Sequence, residues 1–585
     1  MKPPFIPDDA PFTGDQKSWL AGFLAGLQSA KQMADQQNAS LTATAGQVAP
    51  RLDILYGSQT GNAEGIAMDA ANVARSQGFN PVVQGMDDVS IEDFAQMGKV
   101  IFSVATYGEG EMPDNAELFW QSLSASDMPK LPDMKFGVLA LGDTGYDEFC
   151  QAGKLIDMRL EQLGATRLVD RVDCDVDFED MAEEWINTTI PLANDGDAVV
   201  TTIPLQAESA VVKSIWNRKN PYPATVTKNL LLSAEGSAKE IRHFEIDLGD
   251  SDLSYEVGDA LNVMPVNDAG LVKSLLAYFS LSADTVLEGQ ERTLGELLTY
   301  KYEISTPSKE LIAAVEKIAD HDAFSHVFKN GDKEALADFL WAKDILDLLQ
   351  LTEKVSFTAD ELLVLLKPLQ HRAYSISSSV NKHPGSVHLT VAAVRWSYES
   401  RQHLGVCSTF LADRVAEGDK AGIFISTNKS FRIPADDAAP MIMVGPGTGI
   451  APFRAFLEER QERQATGPNW LFFGDQTREF DFIYQDELAA MQEQGVLTRL
   501  DLAFSRDQAE KIYVQHKMKQ HGAELFSWLE QGGYFYVCGD ATRMARDVDQ
   551  ALADVIAQHG TMNTEKATDY VNNLKREKRY LRDVY

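Results

Sequence analysis

The most constraining feature of this chain is a recurring order of apolar strand, glycine-bearing loop and helix. LDILYGSQTGNAEGIAMDAANVA, beginning at Leu52, is an apolar run, a small-residue loop and a helical pattern. VIFSVA (100–105) and FGVLAL (136–141) repeat the arrangement, each ending in a loop with glycine and leading into a helical period. Such alternation predicts a doubly wound parallel sheet, whose strands are buried on both faces and whose ligands sit at the carboxyl ends. The same order returns in PMIMVGPGTGIAPFRAFLEER (440–460), with NWLFFG (469–474) and YFYVCGD (534–540) as further strands. Between the two regions the short β-like runs ATVTKNLLLS, HFEIDLG, RAYSISSS and VHLTVAAVRW are interrupted by a helical pattern over about 267–367. That order fits an antiparallel β-barrel with a helical insertion.

At 585 residues the chain is too long for a single core. The expected division is a short amphipathic helix and Gln/Ala/Thr-rich linker over 1–49, a first α/β domain over 50–190, and a linker over 191–220. The barrel with its insertion follows over 221–435, and a second nucleotide-binding α/β domain over 436–585. The formal net charge of −34 argues against nucleic acid, which needs a basic surface. It suits either solubility or docking onto a basic protein partner. The four cysteines form no C-x-x-C, so neither a metal centre nor a disulfide framework is expected, and a reducing compartment is. WLAGFLAGL (19–27) is far short of the ~20 residues of a membrane span and follows acidic rather than basic residues. A cytoplasmic chain without a membrane anchor is the expectation.

Three groups of motifs carry chemistry. Ser58-Gln59-Thr60-Gly61-Asn62-Ala63 lies between a strand and a helix start, where hydroxyls, amides and the helix N-terminus make an anion cradle. Alone it reads equally well as an ordinary βα turn, and it lacks the Lys of a nucleoside-triphosphate loop. Thr106-Tyr107-Gly108-Glu109-Gly110 and Leu141-Gly142-Asp143-Thr144-Gly145-Tyr146 end the next two strands at the same sheet edge. Two tyrosines in glycine loops beside a phosphate cradle suit the faces of an isoalloxazine. Arg372-Ala373-Tyr374-Ser375 offers a pyrophosphate partner, a stacking ring and a hydroxyl, although Arg and Tyr alternate on many edge strands. Gly405-Val406-Cys407-Ser408 is a second small-residue turn into a helix. Gly445-Pro446-Gly447-Thr448-Gly449 is a strand-to-helix glycine turn of the kind that admits a dinucleotide pyrophosphate. Ser505, Arg506 and Lys511 downstream suit a 2′-phosphate, hence NADPH over NADH; Lys511 alone would pass for a solvated charge. Cys538 ends an aromatic strand and reads first as a buried structural thiol, and the terminal Tyr585 as a frayed end that could instead cover a flavin.

SQTGNA, TYGEGE, LGDTGYDEFC, RAYSISSS, GPGTGIAPFRAF, FSRDQAEKIYVQ, YVCGDATRMARDV and the terminal RDVY, in this order, resemble the diflavin reductases. Within that family they resemble the flavoprotein (alpha) subunits of bacterial assimilatory NADPH–sulfite reductases, over roughly residues 50–585. The resemblance implies a flavodoxin-like FMN domain, an FAD-binding barrel and a ferredoxin–NADP reductase-like nucleotide domain. It implies electron flow from NADPH through FAD and FMN to a siroheme/iron–sulfur hemoprotein subunit or another redox protein. A stand-alone soluble cytochrome-type reductase is the second reading, and a flavin-storing subunit the non-enzymatic one.

The resemblance also assigns roles. FMN would be held by Ser58 to Ala63, by Ala105, Thr106, Tyr107 and Gly108, and by Leu141, Gly142, Asp143, Thr144, Gly145, Tyr146, Asp147, Glu148, Phe149 and Cys150. FAD would be held by Arg372, Ala373, Tyr374 and Ser375, by Thr390, Val391 and Ala392, and by Trp396, Gly405, Val406, Cys407 and Ser408, with Ser305 from the insertion. NADPH would meet Gly447, Thr448, Ser505, Arg506, Lys511, Ile512, Tyr513, Val514, Gln515 and Asp547. Ser375, Cys538 and Asp583 would assist hydride transfer, and Tyr585 would cover the FAD ring. Tyr107 is the aromatic found in the cytochrome reductases, Trp396 replaces a commoner Tyr, and Val406 and Cys407 replace smaller residues. Acidic residues near the FMN edge, Glu109, Glu111, Asp114, Asp175, Asp177, Glu179 and Asp180, could steer a basic partner or form a solvated face. Oligomeric state is not legible in the sequence.

Overall fold

The computed structural model describes residues 49–108, 110–144, 146, 148–194, 214–318, 321–351 and 357–585. The expected N-terminal helix and most of the second linker lie outside the described residues, as do Glu109, Gly145 and Asp147.

The first sheet is parallel throughout. It contains β1 (Arg51–Gly57), β2 (Asn80–Gly85), β3 (Lys99–Ala105), β4 (Lys135–Leu141), β5 (Thr166–Arg167) and β6 (Val172–Cys174), in the order β2-β1-β3-β4-β5 with β6 also on β4. Leu52, Ile54 and Leu55 of β1 are fully buried because helices cover both faces. α1 (Asn62–Ser76) turns Ala63, Ala67, Ala70, Ala71 and Ala74 inward, side chains small enough for the helix to lie close to the sheet. α2 (Asp114–Ser124) and α3 (Gln151–Gln162) cover the other face around Phe102, Phe119, Phe136 and Ile156. β2 carries Pro81, which is tolerated because β2 is the edge strand. The strand order reverses between β1 and β3, and the cleft outside that switch point is where such a sheet binds its ligand.

The second sheet is antiparallel. β7 (Tyr222–Leu231), β8 (Glu240–Asp247), β9 (Ala260–Met264), β10 (Arg372–Ser375), β11 (Ser386–Ala393) and β14 (Lys420–Ser426) run in the order β10-β9-β14-β7-β8-β11. Ile376, just past β10, bridges Leu389 of β11, so the two ends of the sheet meet and close a barrel. A separate ribbon pairs β12 (Arg395–Tyr398) with β13 (Arg401–Leu404). Between β9 and β10 the insertion folds as helices running from Ala269–Phe279 to Ala359–Leu365, around a core of its own that includes Leu275, Leu298, Leu311 and Leu348. Capping boxes at Thr293/Glu296, Asp344/Asp347 and Thr358/Glu361 start three of them.

The third sheet is parallel: β15 (Met441–Val444), β16 (Asn469–Asp475), β17 (Arg499–Phe504), β18 (Tyr534–Gly539) and β19 (Tyr580–Val584), ordered β17-β16-β15-β18-β19. All four residues of β15 are buried. The reversal falls between β15 and β18, which puts the glycine loop after β15 at the switch point. α4 (Ala451–Glu462), α5 (Val514–Gln520), α6 (Met544–His559) and α7 (Thr564–Arg576) flank this sheet. No helix among the described residues is long and apolar enough to cross a membrane.

Candidate functional site

The carboxyl edge of the first sheet faces the rest of the chain. In the first loop Gly61 adopts φ 83°, which lets the chain turn from β1 into α1. The Ser58 hydroxyl is buried without a hydrogen-bond partner, while the Ser58 amide donates to Asn115 Oδ1 at 2.8 Å. Gln59 is anchored by the Asp114 amide at 3.0 Å. In the second loop Tyr107 and Glu111 exchange main-chain bonds of 3.0 and 2.8 Å around Gly108 and Gly110, both at positive φ. Thr106 joins this loop to the third: its amide donates to Leu141 O, and its hydroxyl accepts from Ala152 N. Thr144 is held by Asp175 at 2.6 and 3.0 Å. Tyr146 leaves nearly half its surface exposed (48 %), and the Cys150 thiol is instead buried, against the carbonyls of Ala140 and Cys174. A free buried hydroxyl, a left-handed glycine and an open tyrosine ring at one switch point fit a phosphate and a flavin ring.

Tyr107 departs from a simple ring clamp. Its hydroxyl donates to the carbonyl of Val584, and its ring packs on the core of the third sheet. Arg582 pairs with Asp114 and, at 3.3 Å, with Glu117; Lys575 meets Glu117 at 3.0 Å and Lys578 meets Asp88 at 2.8 Å. From the barrel, Lys429 reaches Glu64 at 2.7 Å, and Thr427 O lies 2.5 Å from where a Cβ on Gly61 would stand. The acidic edge is largely engaged within the chain. Arg218 pairs with Asp177 and Glu179, and Lys219 with Asp180 at 2.9 Å.

In the barrel, the RAYS strand, the insertion and the second small-residue turn come together, while two of the candidate residues turn their side chains elsewhere. Tyr374 and Cys407 hydrogen-bond through their side chains, which brings the RAYS strand to the second small-residue turn. Burial pushes the Cys407 thiol up to about 11. Arg372 contacts Glu303 at 3.6 Å, and Ser305 lies two residues away with its amide on Glu303 Oε1. Trp396 stacks on His403 (5.4 Å, 22°) and donates its indole N–H to Ala342 O, facing a cleft also lined by Ser305, Asp268, Val406 and Arg414. Ser408 Oγ accepts the Val394 amide at 3.1 Å. However, Thr390 turns its hydroxyl to Tyr484 (2.7 Å), and Val391 packs in the barrel core. Contact from these two residues to a flavin would therefore run through their main chain. The cleft, the Arg372 guanidinium and the stacked indole fit a flavin adenine dinucleotide.

At the third sheet the glycines of the loop after β15 are required by close approach. A Cβ on Gly445 would stand 2.4 Å from Gly449 O, and one on Gly449 would stand 2.2 Å from Cys538 O. Lys239, which the sequence reading missed, comes from the barrel to pair with Asp475 at 2.6 Å. Its Nζ lies 3.9 Å from the Cβ position of Gly447, so a cation stands at the pyrophosphate loop. No local pattern announces it, because Lys239 precedes the loop by some two hundred residues. Arg506, Lys511 and Tyr513 are exposed, and Gln515 bonds Asp547 at 2.9 Å. Val514 is buried in the core.

The three sheets meet at β19. Ser375 Oγ donates to Asp583 Oδ2 at 2.6 Å, and Cys538 Sγ approaches the same oxygen at 3.8 Å. Burial raises the Asp583 carboxyl above its ordinary range, and the Ser375 and Cys538 hydrogen bonds oppose that rise. Burial, then the Asp583 charge, raises the Cys538 thiol. A thiol raised in this way is a hydrogen-bond donor to Asp583. Tyr585 is 62 % exposed, and its hydroxyl lies 3.2 Å from Thr448 Oγ1.

Comparison with known proteins agrees with this geometry. Residues 54–187 match the family model for flavodoxin, 215–410 that for an FAD binding domain, and 443–550 that for an oxidoreductase NAD-binding domain. The sulfite reductase (NADPH) flavoprotein alpha-component of Vibrio cholerae is 43% identical over 575 residues, covering 97% of this chain and 93% of the relative. That of Bacillus subtilis is 41% identical over 580 residues, covering 98% and 96%. That of Shewanella sp. strain MR-7 is 40% identical over 583 residues, covering 97% and 95%.

Proposed function

Because this chain belongs to the family of sulfite reductase (NADPH) flavoprotein alpha-components, we propose that its electrons pass to the hemoprotein partner of a sulfite reductase. The chain is an NADPH-dependent diflavin reductase with sites for FMN, FAD and NADPH. When bound, the nicotinamide supplies a hydride and the two flavins divide it into single electrons; the redox chemistry is theirs. The protein contributes position and charge. The glycine loop and Lys239 would hold the pyrophosphate, and Arg506 and Lys511 would select the 2′-phosphate. Asp583, oriented by Ser375 Oγ and Cys538 Sγ, steadies positive charge developing on the nicotinamide. Tyr585, beside Thr448, is the residue that would cover the flavin ring and give way to the nicotinamide.

The observation that carries this reading is β19 itself. One short strand presents Asp583 to the hydride site and bonds the first domain through Arg582 and Val584. β19 thus joins the side chains that would face the nicotinamide to the edge of the domain that would hold FMN. The test is anaerobic titration with NADPH after flavin extraction. FMN and FAD should be recovered in equal amounts, and bound flavin should bleach stoichiometrically. Mixed with a siroheme hemoprotein, the enzyme should produce sulfide from sulfite. Brisk cytochrome c reduction with no sulfide would instead favour the stand-alone reductase, the reading that Tyr107 keeps open.

A further inference from the structure

We propose that His243, Glu245 and His388 form a binding site for a divalent transition metal of the zinc class, at the seam between the barrel and the nucleotide-binding domain. β8 and β11 pair antiparallel with His388 opposite Glu245 and Thr390 opposite His243. A period of two puts His243 and Glu245 on one face of the sheet, and direct cross-strand pairing puts His388 there with them. The three donor atoms lie within 4.8 Å of one another, and His243 Nε2 is 3.4 Å from Glu245 Oε1. Tetrahedral zinc with bonds of about 2.0–2.2 Å requires donors roughly 3.3 Å apart, so only small side-chain movements are needed. Two imidazoles and one carboxylate are a ligand set of borderline softness, which favours zinc, cobalt, nickel or copper over calcium or magnesium.

Two further observations point to a ligand. His388 is 2 % exposed, and its Nδ1 has no hydrogen-bond partner, an arrangement that is costly unless something fills it. His243 is oriented from behind: its Nδ1 meets the Tyr484 hydroxyl at 2.9 Å, which turns Nε2 toward Glu245. That is the outer-shell support a ligating histidine characteristically has.

The surrounding charges are compatible. Lys228 Nζ sits on Glu245 Oε1 at 2.8 Å, but its side chain is 46% exposed and can swing into solvent. Arg454 is matched by Glu458 at 3.1 Å and Glu487 at 2.7 Å. His383 is committed to Glu458 at 3.1 Å. A second cluster among the described residues, Asp344, Asp347 and His403, is different, because the Arg401 guanidinium already bridges both carboxylates.

The test uses the untagged, metal-stripped holoenzyme and Co²⁺ as a spectroscopic probe, followed by Zn²⁺. One equivalent of Co²⁺ should bind with d–d absorption of a low-coordinate N/O site, and Zn²⁺ should displace it and raise the melting temperature. His243→Ala and Glu245→Gln should abolish the band. Tyr484→Phe should weaken binding about 10–100-fold. Lys228→Met, a change on an exposed side chain, should tighten it by removing the competing cation. Absence of the band in the wild-type protein overturns the site. So does a band that survives Glu245→Gln and does not respond to Lys228→Met.

Discussion

The hydroxyl of Tyr107 donates to the main-chain carbonyl of Val584, 477 residues further along the chain. A loop at the edge of the first sheet is thereby tied to the strand that carries Asp583 and leads into Tyr585. If this bond holds the first domain in its electron-accepting position, Tyr107→Phe should slow flavin-to-flavin transfer several-fold. One part-buried hydrogen bond is worth about 0.5–1.5 kcal/mol, which sets that scale. Stopped-flow absorbance of the flavins checks it, with FMN content unchanged as the control.

The contact between the domains is largely ionic, through Arg582, Lys575, Lys578 and Lys429 on one side and Asp114, Glu117, Asp88 and Glu64 on the other. Lys429 and Lys578 are exposed and their pairs individually weak, about 0.2–1 kcal/mol, whereas Arg582–Asp114 and Lys575–Glu117 are part-buried; the pairs act together and salt screens them. Raising the ionic strength should therefore increase the radius of gyration in small-angle scattering. Arg582→Glu should produce the same expansion at low salt.

Asp583 is held above its ordinary range by burial, so its charge costs folding stability. Between the unfolded and folded values the native state binds more protons, and stability falls as pH rises through that window. Asp583→Asn should remove the cost and raise the melting temperature at neutral pH, while hydride transfer from NADPH slows. A scan of melting temperature against pH, beside pre-steady-state flavin reduction, measures both.

Histidines act in the opposite sense. Burial lowers His243 and His371 to about 4, and lowers His388 further. The unfolded chain binds these protons near 6.5, so stability is complete above that value and is lost progressively as pH falls toward 4. His371→Asn should flatten the fall in urea midpoint over this range.

Arg506 and Lys511 are exposed and make no ion pair among the described residues. Replacing Arg506 with Ala should raise the KM for NADPH about 10–100-fold, the worth of a charge-assisted bond, and leave that for NADH nearly unchanged. Steady-state kinetics with both nucleotides decides it.

Much of the architecture was legible. Apolar runs closed by glycine loops mark β1, β3, β4, β15, β16 and β18, because a parallel strand buried on both faces must be continuously apolar. β2 was not legible: Asn80-Pro81 reads as a turn, and only its edge position makes it a strand. The glycine spacing 445–449 announced a dinucleotide loop, whereas Lys239 beside it carried no signal, since its role depends on barrel and nucleotide domain packing together. Likewise Tyr107 was expected at a flavin face, and nothing near it in sequence indicated Val584 as its partner.

The sequence by itself determined the order of the domains and most of their parallel strands, and marked candidates to hold phosphate, flavin and nicotinamide, because these depend on local periodicity and on turns that only glycine and small residues can make. The tertiary structure decided which of those residues meet. Ser375, Cys538 and Asp583 come from three separate strands, and Tyr107 reaches Val584 from another domain. His243 and His388 became neighbours only through the β8–β11 register. Such contacts join residues far apart in the chain, and the burial that shifts their protonation exists only once the domains have packed.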